Sequence, residues 1–539
     1  MKTTPLLSIK NLTVKIDEHK ILSNISFKLK PNEILGIVGE SGSGKSLTAL
    51  SILNLLNSHN IKSEGSIIFE GIELFDLSKK RIQKIRGKQI SIIFQEPMSA
   101  LNPSMKCGDQ ILEVITTHNK TKKKAAKRKT LKLIEKVQLK NSEIVYEKYP
   151  HQLSGGQQQR IMIAIAVACN PQLLIADEPT TSLDSLVKNE IILLIKSLQL
   201  EYKMSVIFIS HDLDLVSKFA SHTIVLNKGK IVEFGSSKKI FESPTNNYTK
   251  MLLGSKPPKK KRPSILPTIE NKLKQYPLIS KEQRLIRHNE IYSKEPLLKV
   301  ENINFSYKKI SILKDISFSV YKGEILGIVG ESGSGKSTIA KSILKLNNFS
   351  KGKISYNNID IKKYENKKLR RKIQLVFQDP YSSLNPEMSA GSSIIEPMIA
   401  HQMYNKTKRV EKAYQLLEDV GLNKNDFKKY PNQFSGGQRQ RLVIARALSL
   451  NPEIVICDES VSALDVSVQA QILNLINSLK KKFSITFLLI SHDLSVVRYM
   501  TDRVIIVKNG EIEEYGETDK IFENSKNNYS KKLLSANGY

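Results

Sequence analysis

Tryptophan is absent from the 539 residues, cysteine occurs three times, and there is no run of 18 or more apolar residues. A helix needs about 20 predominantly apolar residues to cross a bilayer, so the chain is not expected to form a membrane channel by itself. The first segment, MKTTPLLSIKNLTVKID, holds only a short apolar-leaning stretch. That is too short for the core of a secretory signal and points to the cytosol. Cys107, Cys169 and Cys457 lack metal-ligand spacing, and the latter two lie in apolar runs; they read as plain buried or half-buried thiols. Acidic residues are also scarce, 52 Asp and Glu against 84 Lys and Arg, giving a formal charge of +32. Such a charge permits attraction to nucleic acid or to an anionic membrane surface without choosing between them. Because the chain is rich in Lys, Asn and Ile, as an AT-rich genome would produce, a solvated surface is the simpler reading. KTKKKAAKRKT, Lys120 to Thr130, reads likewise as a wet helix face.

At this length a single hydrophobic core stops growing, so two domains are expected. The sequence repeats itself accordingly. LLSIKNLTVKI (Leu6 to Ile16) aligns with LLKVENINFSY (Leu297 to Tyr307) at an offset of 291, kept without a gap up to a shared glycine-rich loop, GESGSGKS. Near the ends, IFESPTNNYTKMLL (Ile240 to Leu253) matches IFENSKNNYSKKLL (Ile521 to Leu534) at an offset of 281. The repeat is therefore a whole domain. We place the first domain at residues 6–254 and the second at 297–539. The proline- and lysine-containing segment 255–296 between them, which lacks periodicity, is expected to be an exposed tether with one short helix.

Within each copy EILGIVG runs into the glycine loop, and LTALSILNLL or TIAKSILKL follows with helical spacing. QLLIADE (Gln172 to Glu178) and EIVICDE (Glu453 to Glu459) are apolar runs ending in two acids, followed by VIFISHD and TFLLISHD. Strand, loop, helix, then near-continuous apolar strands describe the buried parallel sheet of an α/β domain.

Gly39, Glu40, Ser41, Gly42, Ser43, Gly44, Lys45 and Ser46 fit G-x4-G-K-[ST], and Gly330, Glu331, Ser332, Gly333, Ser334, Gly335, Lys336 and Ser337 fit it again. In such a loop the glycines let successive N–H groups turn toward one anion, and the following helix adds positive potential. Lys45 or Lys336 would reach the β- and γ-phosphates, and Ser46 or Ser337 would bind Mg²⁺. Asp177 and Asp458 end strands where they could hold the water shell of that ion, and Glu178 and Glu459 stand beside them as candidate bases for a water. Consecutive residues at a strand end point in different directions, which separates the two tasks.

LSGGQ (Leu153 to Gln157) and FSGGQ (Phe434 to Gln438) resemble the signature motif of ATP-binding cassette (ABC) ATPases, and the resemblance covers nearly all of both copies. It implies two tandem P-loop ABC nucleotide-binding domains, each with a RecA-like core, an antiparallel β subdomain and a helical subdomain, using ATP and Mg²⁺. It also implies that Gln95 of IIFQEP and Gln378 of LVFQDP are ligands for the metal and water, and that His211 and His492 are the switch histidines. Ser154, Gly155, Gly156 and Gln157, with Ser435, Gly436, Gly437 and Gln438, become further phosphate donors. In this family two domains meet head to tail. One ATP is thus expected between Gly39–Ser46 and Ser435–Gln438 and another between Gly330–Ser337 and Ser154–Gln157, both partners being supplied by this chain.

FQEPMSALNPSM and FQDPYSSLNPEM look like the segments after the glutamine in bacterial oligopeptide, dipeptide and nickel import ATPases. The two halves resemble the two subunit types of that subfamily, and the chain is similar to their fused form, as in microcin C-type and glutathione-type importers. The resemblance implies an ATPase docked on two transmembrane permease subunits at the cytoplasmic face of the bacterial inner membrane, supplied indirectly by an external substrate-binding protein, with no nucleic acid as partner. Three departures stand out. Ile16 occupies the place where Tyr307 would stack on adenine, Ser460 replaces the proline found at Pro179, and the cysteine cluster of many separate peptide-import subunits is absent. A tandem ABC protein acting on ribosomes would suit the charge, but its long charged helical linker is not matched by segment 255–296; a sugar importer would lack the SLNP pattern.

Overall fold

The computed structural model describes residues 4–56, 60–119, 121–181, 183–268, 276–308, 310–461 and 464–539. By contacts the chain divides into Met1–Leu183 with Val187–Leu253, and Gly254–Tyr539 with the tripeptide Asp184–Leu186.

The first unit is built on a six-stranded sheet in the order Lys230–Ser236, His222–Asn227, Ile34–Val38, Ser205–Ile209, Leu173–Asp177, Ile90–Ile93. Pairing is parallel throughout, except that Lys230–Ser236 runs antiparallel at one edge. Every residue of Ile34–Val38, Leu173–Asp177 and Ser205–Ile209 is buried. Strands covered on both faces need side chains that are apolar on both, which is why these segments read as unbroken runs rather than alternating ones. A four-stranded antiparallel sheet, in the order His19–Leu29, Leu7–Ile16, Ile61–Phe69, Ile72–Glu73, lies over it. Leu7, Ile9 and Leu12 of one sheet share a core with Leu35, Ile37 and Ile175 of the other and with Ala49 and Ile52 of the helix after the glycine loop. Helices Cys107–Asn119, Lys123–Lys136 and Ser142–Glu147 form the helical part. In Lys123–Lys136 only Ala126, Thr130, Leu133 and Ile134 are buried, so the lysine-rich run is a solvated helix face as expected.

The second unit repeats this plan, with a six-stranded sheet centred on Ile325–Val329 and a four-stranded antiparallel one. Cys107 and Cys457 are buried and Cys169 is half-buried; burial pushes the first two thiols up to about 11 and about 12, which keeps them protonated and inert.

The segment expected to be an exposed tether is instead docked on the second unit. Leu266 is fully buried, and its backbone exchanges two hydrogen bonds with the Asn474 side chain, at 2.8 and 2.9 Å. Helix Lys281–Tyr292 begins with a capping box between Ser280 and Gln283 and buries Arg284, His288 and Ile291. Arg262 and Arg284 each reach Asp519 at 2.6 Å, and Arg287 reaches Asp502 at 2.8 Å. Their carboxylate partners lie more than 200 positions downstream, where local pattern cannot find them. The remainder of the segment, residues 269–275, lies outside the described residues.

Asp502 is the centre of this cluster. Burial alone would raise its carboxyl, but Lys480, the His288 ring, Arg287 and the Ile325 N–H outweigh that and hold it far below the usual carboxylate range. Its contribution to stability is therefore complete above the unfolded value near 4 and is lost as pH falls through the acid range. Asp502→Asn should destabilise the second unit by about 3 kcal/mol, because it leaves the buried Lys480 ammonium without its carboxylate. Chemical unfolding read by a probe in that unit measures it, and an unchanged midpoint would contradict the assignment.

Candidate active site

Three adjacent parallel strands, Ile34–Val38, Ser205–Ile209 and Leu173–Asp177, deliver their carboxyl ends to one edge of the first unit, and the sequence motifs sit there. Ligands in open α/β sheets bind outside such ends. The glycine loop follows Val38 and turns into helix Lys45–Ile52 at Gly44, whose φ of 102° lies in the left-handed region. A side chain there would also come within 2.3 Å of Leu22 Cδ2, so only glycine serves. Gly335 repeats the arrangement with φ of 105° and Leu313 Cδ2 at 2.7 Å.

Lys45 folds back to donate from Nζ to the carbonyls of Gly39 and Glu40, at 2.8 and 2.9 Å. Lys336 does the same to Gly330 and Glu331, at 2.9 and 2.8 Å, and burial lowers its ammonium pKa. An ammonium held against loop carbonyls is placed to exchange them for phosphate oxygens. The hydroxyls of Ser43 and Ser334 are buried without a hydrogen-bond partner among the described residues.

Asp177 is buried, and its Oδ1 has no hydrogen-bond partner among the described residues. Desolvation first, and then the neighbouring Glu178 charge, raise its pKa against the opposing pull of Ser46 and Lys45. Asp458 is raised by the same causes, and Ser337 Oγ donates to its Oδ1 at 3.1 Å. A buried carboxylate beside a serine hydroxyl offers hard oxygen donors, which fit Mg²⁺. No group of three or more His, Cys, Asp or Glu among the described residues could hold a metal unaided, so phosphate oxygens would have to complete the coordination.

Glu178 is where the site converges. Its backbone is left-handed, with φ of 49°, and Glu459 repeats this at 48°. Such a conformation costs a non-glycine residue energy and is tolerated where the surroundings over-determine it. The amides of both are held, Glu178 N–H by the Ile209 carbonyl at 2.9 Å and Glu459 N–H by that of Ile490 at 3.0 Å. Three side chains meet Glu178 Oε2: Gln95 Nε2 at 3.1 Å, Thr181 Oγ1 at 3.0 Å and His211 Nδ1 at 2.9 Å. Oε1 has no such bond among the described residues. Burial would raise this carboxyl, but the His211 hydrogen bond and charge, with Lys45 and Thr181, outweigh it and bring the pKa below the ordinary value. In the second unit Gln378 Nε2 reaches Glu459 Oε2 at 2.9 Å and His492 Nδ1 lies 3.4 Å from the same oxygen.

The signature segments begin helices. Ser154 caps Gly155–Val167 by accepting from Gln157 N–H at 3.4 Å, while Gln157 Oε1 accepts from Ser154 N–H at 3.1 Å. Ser435 and Gln438 make the same reciprocal pair, at 3.3 and 3.0 Å. Such a helix start presents N–H groups and positive potential to an anion.

The structure thus gathers glycine loop, acid pair, glutamine and histidine within each unit. Ile16 is half-buried at a strand end, whereas Tyr307 is 62% exposed. Sequence reading missed Thr181; its aligned residue in the second copy, Ser462, lies outside the described residues. It also missed Tyr248, whose hydroxyl accepts from the Glu40 N–H at 3.4 Å and so braces the loop. The NNY triplet shared by both domain ends was the available signal.

The family model described as ABC transporter matches residues 22–181 and 313–462, and the one described as oligopeptide/dipeptide transporter, C-terminal region, matches residues 232–280. The glutathione import ATP-binding protein GsiA of Pectobacterium atrosepticum is 39% identical over 561 residues, covering 98% of this chain and 89% of the relative. The protein of the same name from Escherichia coli O157:H7 is 40% identical, with the same coverage. That from Salmonella choleraesuis is 41% identical over 95% of this chain and 86% of its own length.

With a phosphate loop in each unit, calorimetric titration with a nucleoside triphosphate should give two sites per chain, and Lys45→Ala or Lys336→Ala should leave one. Retention of two sites in either variant would contradict the role of the lysines.

Proposed function

This chain belongs to the ABC transporter family of ATPases, and from that premise we propose that it is the ATP-hydrolysing, energy-coupling subunit of an importer for peptides or peptide-like solutes. The carrying observation is the grip on Glu178 and Glu459, repeated in both units, by a glutamine and a histidine from separate loops.

The loops Gly39–Ser46 and Gly330–Ser337 bind the triphosphate of ATP, with Lys45 and Lys336 transferring from loop carbonyls to its oxygens. Ser46, Gln95 and Asp177, with Ser337, Gln378 and Asp458, are the residues that would hold Mg²⁺, which when bound neutralises charge developing on the β- and γ-phosphates. Glu178 orients a water for attack on the γ-phosphate through Oε1 while Oε2 is fixed, and His211 both holds that carboxylate ionised and lies where a γ-phosphate can be sensed. In the second unit Glu459 takes the place of Glu178, with His492 Nδ1 3.4 Å from its Oε2. The reading includes pairing of the two cassettes of one chain on ATP, with Ser154–Gln157 and Ser435–Gln438 as additional phosphate donors.

No helix among the described residues is long and apolar enough to cross a membrane, so transport requires separate permease subunits, to which this chain docks peripherally at the cytoplasmic face. The match of segment 232–280 to the oligopeptide/dipeptide transporter region and the names of the full-length relatives support a peptide-like substrate such as glutathione, delivered by an external binding protein.

Loss of a positioned base costs about 10²- to 10⁴-fold. Glu178→Gln combined with Glu459→Gln should lower ATP turnover by that order while retaining two bound ATP molecules, measured by phosphate release and by nucleotide content after gel filtration. Turnover near the wild-type rate would refute the base assignment.

A further inference from the structure

Residues 255–268 continue from the last helix of the first cassette, Asn247–Gly254, yet they are built into the second unit. Ser255 and Leu266 are fully buried and Thr268 is 2% exposed. Leu266 shares a core with Leu473, Ile476 and Tyr499 of the second unit, and its N–H and carbonyl both bond the Asn474 side chain. Lys259 Nζ donates to the Asn537 carbonyl at 2.9 Å. Arg262 forks between the Thr501 carbonyl at 3.2 Å and the Asp519 carboxylate at 2.6 Å. A segment that belongs by sequence to one cassette thus supplies a core residue and a buried guanidinium to the other.

The repeat itself supplies the control. At the offset of 281 that relates the domain ends, Asn474, Thr501 and Asp519 correspond to Leu193, Ala220 and Lys238 of the first cassette. Leu193 is 66% exposed and Lys238 is exposed. An aliphatic side chain stands where an amide receives the Leu266 backbone, and an ammonium stands where a carboxylate receives Arg262. A guanidinium needs an anionic partner when it is desolvated, so the complementary surface exists on the second cassette alone.

We propose that residues 255–268 are a docking segment that keeps the two cassettes of one chain joined, through Asn474, Thr501 and Asp519, even when the peptide chain between them is cut. This clasp acts without nucleotide and is separate from pairing of the cassettes on ATP. Its release would leave the Asp519 carboxylate and the Asn474 amide without the partners that satisfy them, which disfavours opening.

The test uses the full chain with residues 269–275 replaced by a protease site flanked by glycine and serine, cut after purification in nucleotide-free buffer with a chelator, so that ATP cannot hold the pieces. The two pieces should elute together in gel filtration. A synthetic peptide of residues 255–268 in excess should separate them, whereas the same peptide carrying Arg262→Glu and Leu266→Asp should not. The full chain with Arg262→Glu and Leu266→Asp should still bind two nucleotides before cutting and fall into two pieces after it. Separation of the unsubstituted pieces would overturn the proposal. So would pieces that stay together both in the substituted chain and under excess peptide, because another surface would then hold them.

Discussion

A carboxylate at the mouth of a buried apolar sheet must stay ionised where water is scarce, and the arrangement of each cassette follows from that constraint. The strand Leu173–Asp177 is buried along its whole length, so the two acids that end it meet different environments within one residue. Asp177 keeps an oxygen without a hydrogen-bond partner among the described residues and is pushed up by desolvation. Glu178 turns through a left-handed backbone into a ring of donors that pulls it down. The two neighbouring acids are thereby set apart by environment, which is what the proposed division into a cation-holding and a water-orienting group requires.

The donors come from three separate loops, so the grip on Glu178 exists only when the whole sheet edge is assembled. Gln95 follows the edge strand Ile90–Ile93, His211 follows the strand Ser205–Ile209, and Thr181 follows the acid pair itself. The phosphate loop is fixed independently, through Gly229 or Gly510, to the antiparallel hairpin.

Much of this was legible in sequence because the chemistry is written in short motifs. The glycine loops, the acid pairs and the SHD segments need only local backbone geometry, and both copies place them where strand–loop–helix order predicts. What could not be read depends on pairing across distance. The segment 255–296 read as an exposed tether, and only the fold brings Asp502 and Asp519 to its Arg262, Arg284 and Arg287. Thr181 was overlooked because a threonine after an acid pair has no distinctive spacing.

The account stands on Glu178 being kept ionised by His211, and the pH dependence of hydrolysis tests that most directly. In a chain whose second site is silenced by Glu459→Gln, single-turnover ATP hydrolysis should show an acid limb set by Glu178. Removing the imidazole with His211→Ala takes away the largest influence lowering that carboxyl, so the acid limb should move to higher pH. A uniform fall in rate with the acid limb unmoved would contradict the account.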